Sequence, residues 1–251
     1  MKLSAFAALA LLIAASASAG IFSDCDQKAP RSVATPSGGL TRIVIVGRAG
    51  SLRVEGRSGA GEVRASGTAC ASSDSLLADV QLRATRSGSE LRIEAEIPDN
   101  LFNEEAALDF TVIVPSNVAV SIHDGSGDLD VLNTGTTEIV DGSGDLTVKG
   151  VNGNLSVRDG SGDMQLSDIA GDVRITDGSG QIDVKRANSV TIDADGSGEV
   201  EIVNVKRNVT ILVKGSGDVH VADVGGDFTV QSKGSGRIDN ERVAGRLSLP
   251  R

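Results

Sequence analysis

The sequence predicts an all-β fold: a single-stacked β-helix or β-solenoid of about seven coils, each of roughly 18 residues with two short strands, plus an N-terminal β-rich region that caps or continues it. Three observations predict this. Gly-Ser-Gly occurs seven times, opening at Gly125, Gly142, Gly160, Gly178, Gly196, Gly215 and Gly234, at intervals of 17 to 19 residues. Between these triplets, apolar and polar residues alternate in two short runs bounded by glycine and asparagine, the pattern of half-buried strands. The chain has no Trp, no Tyr and only 5 Phe, which suits the thin aliphatic layers of a stacked coil better than the thick core of a sandwich.

From the N-terminus, residues 1–19 read as a signal peptide. Lys2 supplies a positive start, residues 5–15 are apolar, and Ala17-Ser18-Ala19 offers a small-x-small cleavage site between Ala19 and Gly20. The apolar run is shorter than the roughly 20 residues of a bilayer span, so no transmembrane anchor is expected after processing. Residues 20–39, rich in small, polar and proline residues, read as an extended lead-in. The next region, 40–115, carries irregularly spaced strand signals at 40–46, 51–55, 61–65, 79–84, 90–96 and 108–114, with one helical turn expected over 100–107. Cys25 and Cys70 are the only cysteines. In an exported chain they are expected to pair, tying the lead-in to the first strands.

The repeat occupies 116–251, with a strand signal at 117–122 leading into it. Aligned on the glycines, its first inward column reads Leu129, Leu146, Met164, Ile182, Val200, Val219 and Ile238. A second strand contributes pairs such as Leu155 with Val157 and Val173 with Ile175, and a corner column runs Thr134, Val151, Ile169, Ala187, Val205, Val224 and Val243. The later units gain one residue near Ala194, Val213 and Ser232, where the coil should widen. At about 4.8 Å per winding, seven coils rise roughly 34 Å. Asn240, polar in an aliphatic column, and Pro250 after the last strand read as blunting an open edge.

The run Leu108-Asp109-Phe110-Thr111-Val112-Ile113-Val114-Pro115, then Val118-Ala119-Val120, then Asp124-Gly125-Ser126-Gly127-Asp128-Leu129 resembles the bacterial putative-adhesin family of β-strand repeat domains of unknown function. It is also similar to the related head domains of putative autotransporter adhesins. The resemblance covers roughly residues 40–249. It implies a β-helix-like fold in the cell envelope and carries over no catalytic residues.

The notable surface feature is a turn ladder. Asp124, Asp141, Asp159, Asp177 and Asp195 precede the glycines, followed by Lys214 and Lys233. Asp128, Asp145, Asp163, Gln181, Glu199 and Asp218 follow them, then Arg237. Stacked in register, these form two acidic rows along one edge. One reading is calcium binding, with Asp124, Asp128, Asp141, Asp145, Asp159, Asp163 and Asp177 as oxygen ligands. The other, which the switch to Lys214, Lys233 and Arg237 favours, is turn chemistry: aspartate accepts a backbone hydrogen bond two residues on, and glycine permits positive φ. The serines of the triplets read as small turn residues, since Gly-Ser-Gly lacks the wider nucleophile-elbow pattern and recurs too often for one active centre. His123 and His220 are the only histidines and read as solvated surface residues.

A net charge of −10 argues against nucleic acid, which needs clustered Lys and Arg. The expected function is a non-enzymatic exported envelope protein, in the periplasm or at the cell surface, an adhesin-like scaffold without cofactor. Its partner would be an envelope or surface protein or a glycan, with end-to-end self-association through an exposed coil. The alternative is a calcium- or glycan-binding module using the acidic ladder. A polysaccharide lyase or hydrolase ranks third, because sugar clefts need apolar walls and this chain lacks Trp and Tyr.

Overall fold

The computed structural model describes residues 25, 27–99 and 104–250. The expected signal peptide and its cleavage site at Ala19 and Gly20 lie outside these residues. Before the repeat come β1 (Gln27–Pro36), β2 (Arg42–Val46), β3 (Leu52–Arg57), β4 (Glu62–Ala71), α1 (Asp74–Asp79), β5 (Gln81–Ser87), β6 (Glu90–Glu96), β7 (Ala106–Pro115) and β8 (Ala119–His123). The repeat supplies β9 (Leu129–Leu132), β10 (Thr137–Asp141), β11 (Leu146–Lys149), β12 (Leu155–Asp159), β13 (Met164–Ser167), β14 (Val173–Ser179), β15 (Ile182–Ala187), β16 (Val190–Ser197), β17 (Val200–Val205), β18 (Val209–Ser216), β19 (Val219–Val224), β20 (Phe228–Lys233), β21 (Ile238–Val243) and β22 (Leu247–Ser248).

Two 11-stranded sheets face each other across a narrow core. The odd-numbered strands from β9 onward lie in one sheet and the even-numbered from β8 onward in the other, so every coil crosses from sheet to sheet at its Gly-Ser-Gly corner and back at a second corner. Pairing in the repeat is parallel and runs residue for residue: Leu129, Leu146, Met164, Ile182, Val200, Val219 and Ile238 form one unbroken column. Leu146, Met164 and Ile182 are at most 1% exposed. A strand alone cannot bury such a face; its neighbours above and below do it. Each fully buried aliphatic side chain contributes about 1.5–3 kcal/mol. The extra residue of the later coils is a β-bulge. Pairing slips between Ile175 and Thr176, where Asp193 is inserted opposite them, and β18 and β20 keep the longer form.

The second corner requires one residue in the left-handed region. Asn133, Asp168, Arg186, Asn204, Asp223 and Arg242 hold it at φ between 50° and 62°. Asn and Asp tolerate this conformation. Where arginine stands instead, it is held by the coil before it: Arg186 donates two hydrogen bonds to Asp168, at 2.6 and 3.0 Å, and Arg242 two to Asp223, at 2.5 and 2.8 Å.

The N-terminal strands join the same stack out of sequence order. β2 pairs in parallel with β8 and β3 with β9, so β2 and β3 form a coil lying directly on the first coil of the repeat. β6 and β7 lie on β2 and β3 in the same sense. Antiparallel strands then close this end: β4 on β7, β1 on β4, and β5 on β6. β1 carries Pro30 and Pro36, which blunt the sheet edge it forms.

One expectation gains detail and two need correction. The lead-in contains β1, whose alternating exposure shows a true edge strand. The expected helical turn over 100–107 falls partly outside the described residues, and Ala106 and Ala107 belong to β7. The helix that forms is α1, which ends at Asp79, where a strand was expected to begin. Ser73 caps it by accepting from the Leu76 N–H at 3.3 Å, and Leu76 is buried. Arg31 of β1 binds the carbonyls of Leu77 and Val80, each at 2.7 Å, satisfying groups that a helix end leaves unpaired.

Cys25 and Cys70 form a disulfide with a Cα–Cα distance of 5.6 Å. It closes a loop of 45 residues across β1 and β4. In the chain-entropy account such a loop contributes at most about 4 kcal/mol. The same two strands are also joined by a ten-residue antiparallel pairing, which does not depend on the bridge covalently. The Cys25→Ser/Cys70→Ser chain should therefore lose roughly 2–4 kcal/mol, read as a lower urea midpoint. An unchanged midpoint would show that the bridge adds nothing to the native pairing.

Candidate functional site

The Gly-Ser-Gly corner is where the repeat concentrates its charge. Along β10, Thr137, Ile139 and Asp141 are buried while Glu138 and Val140 are not. Along β12 the same parity buries Leu155, Val157 and Asp159. In β10, β12, β14 and β16 the aspartate before the triplet is thus the last inward residue of its strand. Successive coils stack these positions in register: Asp141 on Asp159, Asp159 on Asp177, Asp177 on Asp195, Asp195 on Lys214. Asp124 continues the column on one side of Asp141, followed by Gly47 at the same register in the preceding coil.

The expected pair of acidic rows along one edge is therefore divided by the chain. Asp124, Asp141, Asp159, Asp177 and Asp195 point into the core and are 2% to 8% exposed. Asp128, Asp145, Asp163 and Asp218 point outward, and each staples one coil to the next. Asp128 accepts from the Asp145 N–H at 3.3 Å, Asp145 from Asp163 at 3.2 Å, Asp163 from Gln181 at 3.0 Å and Asp218 from Arg237 at 2.9 Å. The partner is the equivalent residue one coil on, not the residue two along the chain. Asn154, Asn208 and Asp227 do the same at another corner. Among the described residues, no three acidic, histidine or cysteine side chains converge on a point that would hold a metal ion.

The glycines make this corner narrow. A Cβ on Gly142 would lie 2.4 Å from the Gly125 carbonyl oxygen, and one on Gly162 would lie 1.9 Å from that of Gly144. The first glycine is needed for this close approach. The last is needed for φ as well, 126° at Gly144 and 137° at Gly162. Ser126 and Ser143 bridge neighbouring coils through their backbones, in keeping with turn residues.

Neither carboxylate oxygen of Asp124, Asp141, Asp159 or Asp177 has a hydrogen-bond partner. The nearest donors are backbone N–H groups of the same turn, Gly142 and Ser143 for Asp141; they favour the ionised form a little without reaching hydrogen-bond geometry. Burial dominates and pushes Asp124 up to about 7, with Asp141 beside it adding repulsion. Burial and the charge of Asp159 raise Asp141 to about 6. Burial, then Asp159 and Asp195, raise Asp177 to about 7. Asp159 and Asp195 are raised by burial too. Asp195 meets Lys214, the one buried cation among the described residues: its Nζ lies 2.7 Å from the Asp195 Oδ2, with both side chains at most 1% exposed. The same ammonium donates to the carbonyls of Gly198, at 2.8 Å, and Ser216.

At the Gly47 end the Asp124 carboxylate fills the space that a side chain there would need: a Cβ on Gly47 would lie 1.9 Å from its Oδ1. A groove of about 630 Å³ opens beside it, lined by Val46, Arg48, Ile97, Pro98, His123 and Asp124. Arg48 pairs with Asp99 at 2.9 Å. His123 is exposed, and His220 lies outward on β19, in register between Glu201 and Asp239. The two histidines share no site.

The sequence profile of the family described as "Putative auto-transporter adhesin, head GIN domain" matches residues 71–239, well over half of the chain. The chain belongs to this family. The GIN domain is also similar to the crystal structure of a putative adhesin from Bacteroides fragilis, at 15% identity, covering 90% of this chain and 98% of that one with a TM-score of 0.52. A second similar structure, a putative adhesin from Parabacteroides distasonis, is 15% identical and covers 84% of this chain and 97% of that one, with a TM-score of 0.43. No curated protein matches it. At such identities the first likeness speaks for the fold.

Proposed function

We propose that this GIN domain is a non-enzymatic, adhesin-like scaffold of the cell envelope, exported through its N-terminal segment, whose regular outer faces engage another protein. The observation that supports this reading most is the residue-for-residue register of the coils. It lines up Asp130, Thr147, Gln165, Asp183, Glu201 and His220 on one outer face. On the other it lines up Glu138, Ser156, Arg174, Thr191, Thr210 and Thr229. Flat arrays of hydroxyl and charged groups offer many weak, evenly spaced contacts and no cleft in which reacting groups converge. The family description points the same way. A protein partner fits these faces better than a glycan, because sugar sites lean on aromatic walls and the chain has no Trp or Tyr.

The test is attachment. The purified, labelled chain is offered to whole cells, to immobilised surface proteins and to glycan arrays, and a deletion strain is scored for adhesion. Saturable binding to protein, weakened when Thr191, Thr210 and Thr229 are all changed to Lys, supports the reading. Binding to glycans alone would replace the protein partner. Absence of binding together with unaltered adhesion of the deletion strain would reject it.

A further inference from the structure

We propose that the inward aspartate column is a proton-binding spine, which makes the coil stack more stable in mild acid than at neutral or alkaline pH. The inference stands apart from the adhesin reading and rests on the interior alone.

Asp124, Asp141, Asp159, Asp177 and Asp195 occupy successive coils at one register position. Adjacent coils are about 4.8 Å apart. The inward positions flanking the column along the chain are aliphatic and buried: Ile139 and Val157 precede Asp141 and Asp159 on their strands, and Leu146 and Met164 open the strands after the corner. The charged groups near it are few. Lys214 is buried and bound to Asp195. Lys233, next in register, is exposed and donates to the Gly236 carbonyl. His123 is exposed, and Arg48 is engaged by Asp99. Asp183 and Asp193 lie on outer faces, paired with Lys185 and Arg174. Four carboxylates, those of Asp124, Asp141, Asp159 and Asp177, therefore have no cation beside them and no hydrogen-bond partner, and the backbone N–H groups of their own turns offset the burial only in part. Like charges so placed in a poorly solvated interior cannot all ionise. A proton on alternate members turns each repelling pair into a donor and an acceptor, and Asp159 and Asp177 already lie within reach of each other.

The sign follows from linkage. These groups titrate higher in the folded chain than in the unfolded one, near 7 for Asp124 and Asp177 and near 6 for Asp141. The folded state thus holds more protons between the ordinary carboxylate range and neutrality, and stability falls as pH rises through that window. Surface pairs oppose this only in stronger acid. Asp168, Asp218 and Asp223 are held below the usual range by Arg186, Arg237 and Arg242, with the Arg237 backbone N–H leading at Asp218. Their contribution fades as pH drops through those lowered values. The two trends place the stability maximum near pH ~5.

The test is a thermal melt of the full exported chain across pH, with and without calcium or a chelator. The melting temperature should be higher near pH ~5 than near ~8.5 by roughly 5 °C or more. Asp159→Asn/Asp177→Asn should flatten this profile and raise the alkaline value, whereas His123→Gln/His220→Gln should leave it unchanged. Infrared spectra of the unaltered chain should show a protonated carboxyl band in mild acid that disappears at alkaline pH. This second readout stands even where the Asn variants do not fold. A melting temperature that is flat or rises toward alkaline pH, a profile untouched by the Asn variants, or no such band would overturn the proposal. So would a calcium-dependent rise in alkali that the Asn variants abolish, because a metal would then fill the column.

Discussion

Gly162→Ala should leave the chain unable to form the native stack at ordinary temperature. The new Cβ would sit 1.9 Å from the Gly144 carbonyl oxygen, a backbone atom that cannot retreat without pulling apart the coil before it. The residue also holds φ at 137°, a conformation that essentially only glycine adopts. Its own N–H donates to Ser179 in the following coil at 3.1 Å, so both neighbours constrain it. Collision and backbone strain together cost roughly 4 kcal/mol or more, a large part of the margin of an ordinary domain. Gly61→Ala is the control, since a Cβ there meets nothing within 4 Å, and its effect should stay within about 0.5 kcal/mol. Urea unfolding followed by circular dichroism reads both. A Gly162→Ala midpoint equal to that of Gly61→Ala would mean that adjacent coils are not held at this spacing.

Lys214→Met is the second large effect. Removing the ammonium leaves Asp195 buried without its only cation and withdraws the donor from the Gly198 and Ser216 carbonyls. Breaking a buried pair from one side costs about 3–5 kcal/mol, whereas replacing both members by neutral groups is often close to neutral. Lys214→Met/Asp195→Asn should therefore recover most of what Lys214→Met loses. The loss should also shrink as pH falls, because burial already raises Asp195 above the usual carboxylate range and the ammonium that opposes its protonation is gone. Equal stability of the single and double variants near neutral pH would show that the pair is not coupled.

Legibility in the sequence followed the range of the interaction. The columns through Leu146, Met164 and Ile182 could be read from the chain because alternation at period two and a recurring glycine triplet are properties of one coil. The inward turn of Asp141 was legible in principle, since it stands two residues after Ile139 and shares its parity. Its charge and its place before a glycine are equally the marks of a surface turn. α1 carries a Ser73 cap followed by an acidic first turn, but six residues are too few for helical periodicity to register. The coil made by β2 and β3 has Arg48-Ala49-Gly50 where the repeat has its triplet. Its contacts are remote too, as in the pair of Arg53 with Asp130, 77 residues apart.

The order of residues by itself determined that this chain winds, with what period, and which aliphatic positions face inward, because those follow from local geometry copied coil after coil. Only the tertiary structure decided that the coil lying on the repeat is built from β2 and β3, with β6 and β7 beyond them, and that one acidic row is sealed inside while the other staples the coils from outside. The reason is physical: an aspartate becomes desolvated, and its neighbours' charges are felt, only once the coils above and below have closed over it.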